Sequence, residues 1–99
     1  MGVNKGIIKK VIFEAIDIIN QEIPIDDRIS KNDTTRLSSK NGGLDSLNLI
    51  NFVIYVEEML EEKHGIVAPL TETENIFEPD GPLKDVQTFV AYLQEAGIE

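Results

Sequence analysis

Gly42-Gly43-Leu44-Asp45-Ser46-Leu47-Asn48-Leu49-Ile50-Asn51-Phe52-Val53-Ile54-Tyr55-Val56-Glu57-Glu58-Met59-Leu60-Glu61-Glu62-Lys63-His64-Gly65 is the stretch that decides the fold. Leu49, Phe52, Val53, Val56, Met59 and Leu60 recur at three- and four-residue steps, as the buried face of an α-helix requires. Glu57, Glu58, Glu61 and Glu62 load the opposite side. Ser46 reads as the N-cap, with Asp45 complementing the positive end of the helix. Gly65 reads as the left-handed residue that closes it. From Leu47 to Val56 the helix is apolar nearly all round, broken only by Asn48 and Asn51. Such a segment is either deeply buried or an exposed apolar patch used for binding.

Outward from this helix the pattern stays helical. Ile8, Val11, Ile12, Ala15, Ile16 and Ile19 mark a first helix, with Asn4 as its N-cap and Pro24 as its stop. A long polar connection runs from Glu22 to Asp45, in which Ile23, Ile25, Ile29 and Leu37 are the expected anchors to the core. Thr71 with Glu74 resembles a capping box and predicts a short helix from Glu72 to about Phe77. Glu78-Pro79-Asp80-Gly81-Pro82 breaks the chain. Leu83, Val86, Phe89, Val90 and Leu93 then predict a last helix that stops at Gly97. The expected fold is all-α: one domain over residues 1–99, a small four-helix bundle with three main helices, a short third one and a long loop between the first and second.

Composition excludes several function classes. The 99 residues hold 18 acids and 9 bases, a formal net charge of −9. That charge disfavours nucleic acid and anionic membrane surfaces as partners and favours proteins with basic patches. The chain has no cysteine, so disulfides, zinc-thiolate sites and cysteine nucleophiles are excluded. Asp26, Asp27 and Asp33 lack calcium-loop spacing and read as turn formers; no metal site is expected. His64, the one histidine, falls at a helix C-terminus, where it serves the dipole, and no catalytic set with Ser46 can be built around it. Glu14 and Asp17 interrupt the apolar stretch after Lys5, Lys9 and Lys10, so neither a signal peptide nor a membrane span is expected. The Asn32-Asp33-Thr34 sequon then reads as a chance match, and a cytoplasmic location is the expectation.

The long loop, the Gly-Leu-Asp-Ser-Leu opening of an acidic amphipathic helix and the pair Glu57-Glu58 after it resemble the acyl carrier protein family. The likeness covers nearly the whole chain in helix order, and it is specific in residues from Gly43 to about Leu60. It implies that Ser46 is the attachment point of a 4′-phosphopantetheine arm, added from coenzyme A by a phosphopantetheinyl transferase. It implies that Asp45 helps recruit that transferase and its magnesium. Leu47, Ile50, Ile54, Glu57 and Glu58 would form the docking face for acyl-transferring or acyl-condensing enzymes with basic patches. Phe52, Val56 and Leu60 would be core residues that also wall an acyl cavity. The chain itself would be a non-catalytic monomer carrying acyl groups for fatty-acid, lipid or polyketide-type biosynthesis.

Physical chemistry suits the position, because a serine at a helix start lies outside the hydrogen-bonded ladder and a phosphate there meets unpaired N–H groups. Gly42 and Gly43 are expected to give the backbone the freedom to present it. Asn48 and Asn51 stand where relatives are often acidic, and Arg36-Leu37-Ser38-Ser39-Lys40-Asn41 replaces a commonly acidic loop. These departures point to a specialised carrier with its own partner enzymes. Two other readings stand beside this one: a peptidyl or aminoacyl carrier, and a helical interaction module in which Ser46 is a plain N-cap and is never modified.

Overall fold

The computed structural model describes residues 5–38, 43–73, 76–78 and 81–95. Three α-helices carry the fold: α1 (Lys5–Glu22), α2 (Ser46–His64) and α3 (Val86–Glu95). Among the described residues there are also two single 3-10 turns, Ile25–Asp27 and Leu70–Glu72, and no strand. Pairing is confined to two isolated bridges, Arg36 with Asp85 and Ser38 with Leu44.

α1 is the central element and packs against both α2 and α3. Its apolar stripe, Ile8, Val11, Ile12, Ala15, Ile16 and Ile19, is buried throughout. α2 contributes Leu49, Phe52, Val53, Val56, Met59 and Leu60, and α3 contributes Val86, Phe89, Val90 and Leu93. At the centre the Phe52 and Phe89 rings meet at a tilt of 53° with centroids 6.1 Å apart, within the range at which aromatic pairs attract.

Helix ends follow local chemistry. Gly65 adopts φ 66°, the left-handed conformation expected of it, and its N–H reaches the Glu61 carbonyl at 3.0 Å. Before α3, the Asp85 carboxylate takes the Thr88 N–H at 2.8 Å, so α3 starts at Val86 and Leu83 is a buried anchor ahead of it. Asn4 and Gly97, the expected outer limits of α1 and α3, lie outside the described residues, as do Gly42 and Glu74.

The segment after α2 departs from expectation. In place of a helix from Glu72 to Phe77, the described residues there hold the 3-10 turn Leu70–Glu72. Leu70 and Ile76 are both buried. Thr73 follows that turn at φ −76° and ψ 126°, extended backbone that ends any helix begun at Glu72, and Glu74 and Asn75 of the expected helix lie outside the described residues.

The described part of the connection after α1, residues 23–38, is tied down at several points. Ile23 and Leu37 are buried and Ile29 packs against the core, but Ile25 is exposed. Its place in a 3-10 turn aims it outward, so it is no anchor. The work falls instead to polar groups. The Asn20 side chain donates to the Ile29 carbonyl at 2.8 Å and accepts the Ile29 N–H at 3.0 Å. The buried Thr35 hydroxyl donates to the Ser30 carbonyl at 3.1 Å and accepts the Asn32 N–H at 3.1 Å. Lys9 pairs with Asp33 and Lys31 with Asp17, tying the loop back to α1.

Candidate functional site

The site is the start of α2. Asp45, not Ser46, is the N-cap: its Oδ1 accepts the Asn48 N–H at 2.9 Å, and its carbonyl accepts the Leu49 N–H at 2.8 Å. Asp45 takes the cap because its extended φ of −70° and ψ of 174° aim the carboxylate back at the first turn. Ser46 therefore occupies the first helical position. Its side chain is exposed, and its hydroxyl makes no hydrogen bond with a described residue. The N–H groups of Ser46 and Leu47 precede the helical ladder and have no acceptor within it.

Gly43 positions this start for a reason other than conformational freedom. It has no positive φ; instead a Cβ there would lie 2.5 Å from the Arg36 carbonyl oxygen and 2.6 Å from that of Leu37. The backbone passes that closely because Gly43 N–H bonds the Ser38 carbonyl at 2.9 Å and Leu44 N–H bonds the Leu37 carbonyl at 2.8 Å. Leu44 itself is buried. Ser46 thus projects from a fixed strap, not a free loop end.

Beside it lies a cleft of about 300 Å³, lined by Gly43, Leu44, Asp45 and Asn48 on one side and by the turn around Asp26, Asp27 and Arg28 on the other. These acids do not converge: among the described residues no group of three His, Cys, Asp or Glu side chains could hold a metal ion.

Down α2 from Ser46, Leu47 is 69% exposed and Ile50 40% exposed, while Ile54 is half-buried. Glu58 is exposed. Glu57 is half-buried, and its carboxylate accepts the Thr71 N–H at 2.5 Å, so it holds the 3-10 turn onto α2. Phe52, Val56 and Leu60 sit on the other side, sealed in the core at 0%, 0% and 1% exposure. Leu47, Ile50 and Glu58 thus lie exposed on the side headed by Ser46, while Ile54 and Glu57 are half-buried.

Sequence reasoning missed Asn20, Thr35 and Asp85, the polar residues that set the path into α2. Their partners lie in other segments, so no local pattern marks them. Two charged contacts bear on the same helix. Hydrogen bonding to Lys63 holds the Glu14 carboxyl below its ordinary range, and the Tyr55 hydroxyl, which donates to Glu22 at 2.5 Å, is pushed up by that bond.

No family model matches the chain, and neither a curated protein nor a solved structure matches it. No described helix is long and apolar enough to cross a membrane.

Proposed function

We propose that the protein is a carrier whose Ser46 receives a 4′-phosphopantetheine arm, and that its helices form the small bundle of an acyl carrier protein. The single observation that carries this reading is the exposed Ser46 hydroxyl at the first position of α2, bonded by no described residue, with the capping duty assigned to Asp45. A serine needed as the cap would have its oxygen engaged; this one is available to an enzyme.

The residues fit the group. In loading, Ser46 Oγ forms a bond to the pantetheine-side phosphorus of coenzyme A and the diphosphate P–O bond breaks. 3′-Phosphoadenosine 5′-phosphate leaves, and the serine proton passes to a base on the transferase. The chain supplies the nucleophile, the N–H groups of the first turn for the phosphodiester and the positive end of the helix macrodipole. When bound, the arm supplies a thiol that carries acyl groups as thioesters. Leu47, Ile50 and Ile54 offer apolar contact, and Glu58 an exposed charge for a basic partner. Asn48 and Asn51 in that face support dedicated partners over a housekeeping set, with transferase and acyl-handling enzymes as the partner classes and the cytoplasm as the compartment.

Incubation with coenzyme A, magnesium and a broad-specificity phosphopantetheinyl transferase, followed by mass spectrometry, tests this. The wild type gains the mass of phosphopantetheine and Ser46→Ala does not. An unchanged wild-type mass would leave an unmodified interaction module as the better reading.

A further inference from the structure

The chain has two arginines, Arg28 and Arg36, and both line one open cleft of about 350 Å³ on the connection between α1 and α2. Lys9, Lys31 and Lys63 are each paired with a carboxylate. The guanidinium groups of Arg28 and Arg36 form no ion pair with a described residue, in a chain with 18 acids. No carboxylate lines their cleft; its remaining walls are Ile29 and the polar side chains of the 30–35 turn. Asp26 and Asp27, which precede Arg28 in sequence, line the neighbouring cleft and not this one, and Asp33, three residues before Arg36, is held by Lys9 at 2.8 Å.

The two arginines stand on fixed backbone. Ile29, next to Arg28, is clamped on both its N–H and its carbonyl by Asn20. The backbone of Arg36 forms an isolated β-bridge with that of Asp85: Thr35 accepts the Val86 N–H at 3.0 Å and Leu37 donates to the Lys84 carbonyl at 3.2 Å. Little backbone freedom is left to be lost on binding. Guanidinium groups present planar forks of donors that match the oxygens of a carboxylate or phosphate, and a concave, hydroxyl-bearing wall suits a small oxyanion better than a flat protein face.

We infer that the Arg28–Arg36 cleft is a binding site for a small oxyanion, a phosphate or carboxylate group. The cleft adjoins the one at the start of α2, with Arg28 and Ile29 common to both. The anion therefore has two possible sources: a free small molecule, or the acidic end of cargo tethered at Ser46. Only the second rests on the carrier reading.

Heteronuclear NMR of the full chain tests it, following arginine Nε–H and backbone amide signals from Arg28 to Arg36. Titration with inorganic phosphate is expected to give saturable shifts there that sodium chloride at matched ionic strength does not. Arg28→Gln and Arg36→Gln should each weaken the binding roughly tenfold, with the remaining amide spectrum unchanged. A second arm compares chain loaded at Ser46 with acyl groups ending in carboxylate or in methyl. Shifts confined to the tethered carboxylate would support the site and assign its source to the cargo. Absence of saturable shifts in both arms would overturn the site. If Ser46 takes no arm at all, the phosphate titration alone decides, so the two readings fail separately.

Discussion

Asp45 caps α2 by accepting the Asn48 N–H at 2.9 Å, and this leaves the neighbouring Ser46 hydroxyl without structural duty. Cap and acceptor are thus two different residues, which makes their roles separable. Asp45→Ala is expected to lower stability by about 0.5–2 kcal/mol in denaturant unfolding. Asp45→Asn keeps the cap and should stay within a few tenths of wild type, yet slow transferase loading because the carboxylate is gone. Ser46→Ala should leave stability unchanged or slightly raised while abolishing the mass gain. A large loss of stability in Ser46→Ala would return the serine to a structural role.

Gly43 makes the second prediction. The Cβ of Gly43→Ala would meet backbone atoms of Arg36 and Leu37 at 2.5 Å, and backbone yields less readily than a side-chain tip. The substitution should cost about 1–3 kcal/mol and move the start of α2. Amide shifts at Leu44–Asn48 and slower loading of Ser46 check the displacement.

These two residues also show what a sequence reveals and what it hides. The helical face of α2, the Gly65 stop and the exposed serine were readable because each depends on spacing within a few residues. Which of Asp45 and Ser46 takes the cap depends on the backbone dihedrals at one position, and no composition rule separates them. The need for glycine at position 43 comes from a pass against Arg36 and Leu37, set by tertiary contact. Ile25 misled for a related reason: an apolar residue without a clear period carries no direction, and packing decides whether it faces inward. The helix expected from Glu72 rested on the Thr71–Glu74 capping pattern, a two-residue signal that does not outweigh the extended backbone at Thr73.

Leu47 and Phe52 should respond in opposite ways. Leu47→Ala removes a side chain that is mostly in solvent, so stability should change by less than about 0.5 kcal/mol. Its effect should fall on productive transfer with partner enzymes. Phe52→Ala empties the centre of the core against Phe89 and should cost about 3–5 kcal/mol by urea unfolding. Comparable stability losses in the two variants would refute the division of α2 into an outer and an inner face.

Two inter-helix contacts give opposite pH dependences. The Glu14 carboxyl is lowered chiefly by its hydrogen bond from Lys63. A folded value below the unfolded one means stabilisation present above the ordinary carboxylate range and lost as pH falls through the folded value. The pair is largely exposed, so its worth is about 0.2–1 kcal/mol. Tyr55 is raised, chiefly by donating to Glu22, so its contribution is present below the ordinary phenol value and lost as pH rises through the folded one. NMR titration should show Glu14 returning toward its ordinary value in Lys63→Met, and Tyr55 doing so in Glu22→Gln.

Glu57 has two duties that substitution can divide. Its carboxylate accepts the Thr71 N–H and so ties the 3-10 turn to α2, while its charge lies beside that of Glu58 on the outer face. Glu57→Gln keeps an acceptor oxygen and loses the charge; Glu57→Ala loses both. If the turn needs only an acceptor, Gln should preserve stability and Ala should lower it by about 0.5–1.5 kcal/mol, with faster amide exchange at Thr71. If partners with basic patches read the charge, both variants should weaken acyl transfer in the same proportion, and added salt should erase the difference from wild type. Transfer that falls only in Glu57→Ala would mean that partners recognise the position of the 70–72 turn, and that the electrostatic part of the docking surface rests on Glu58.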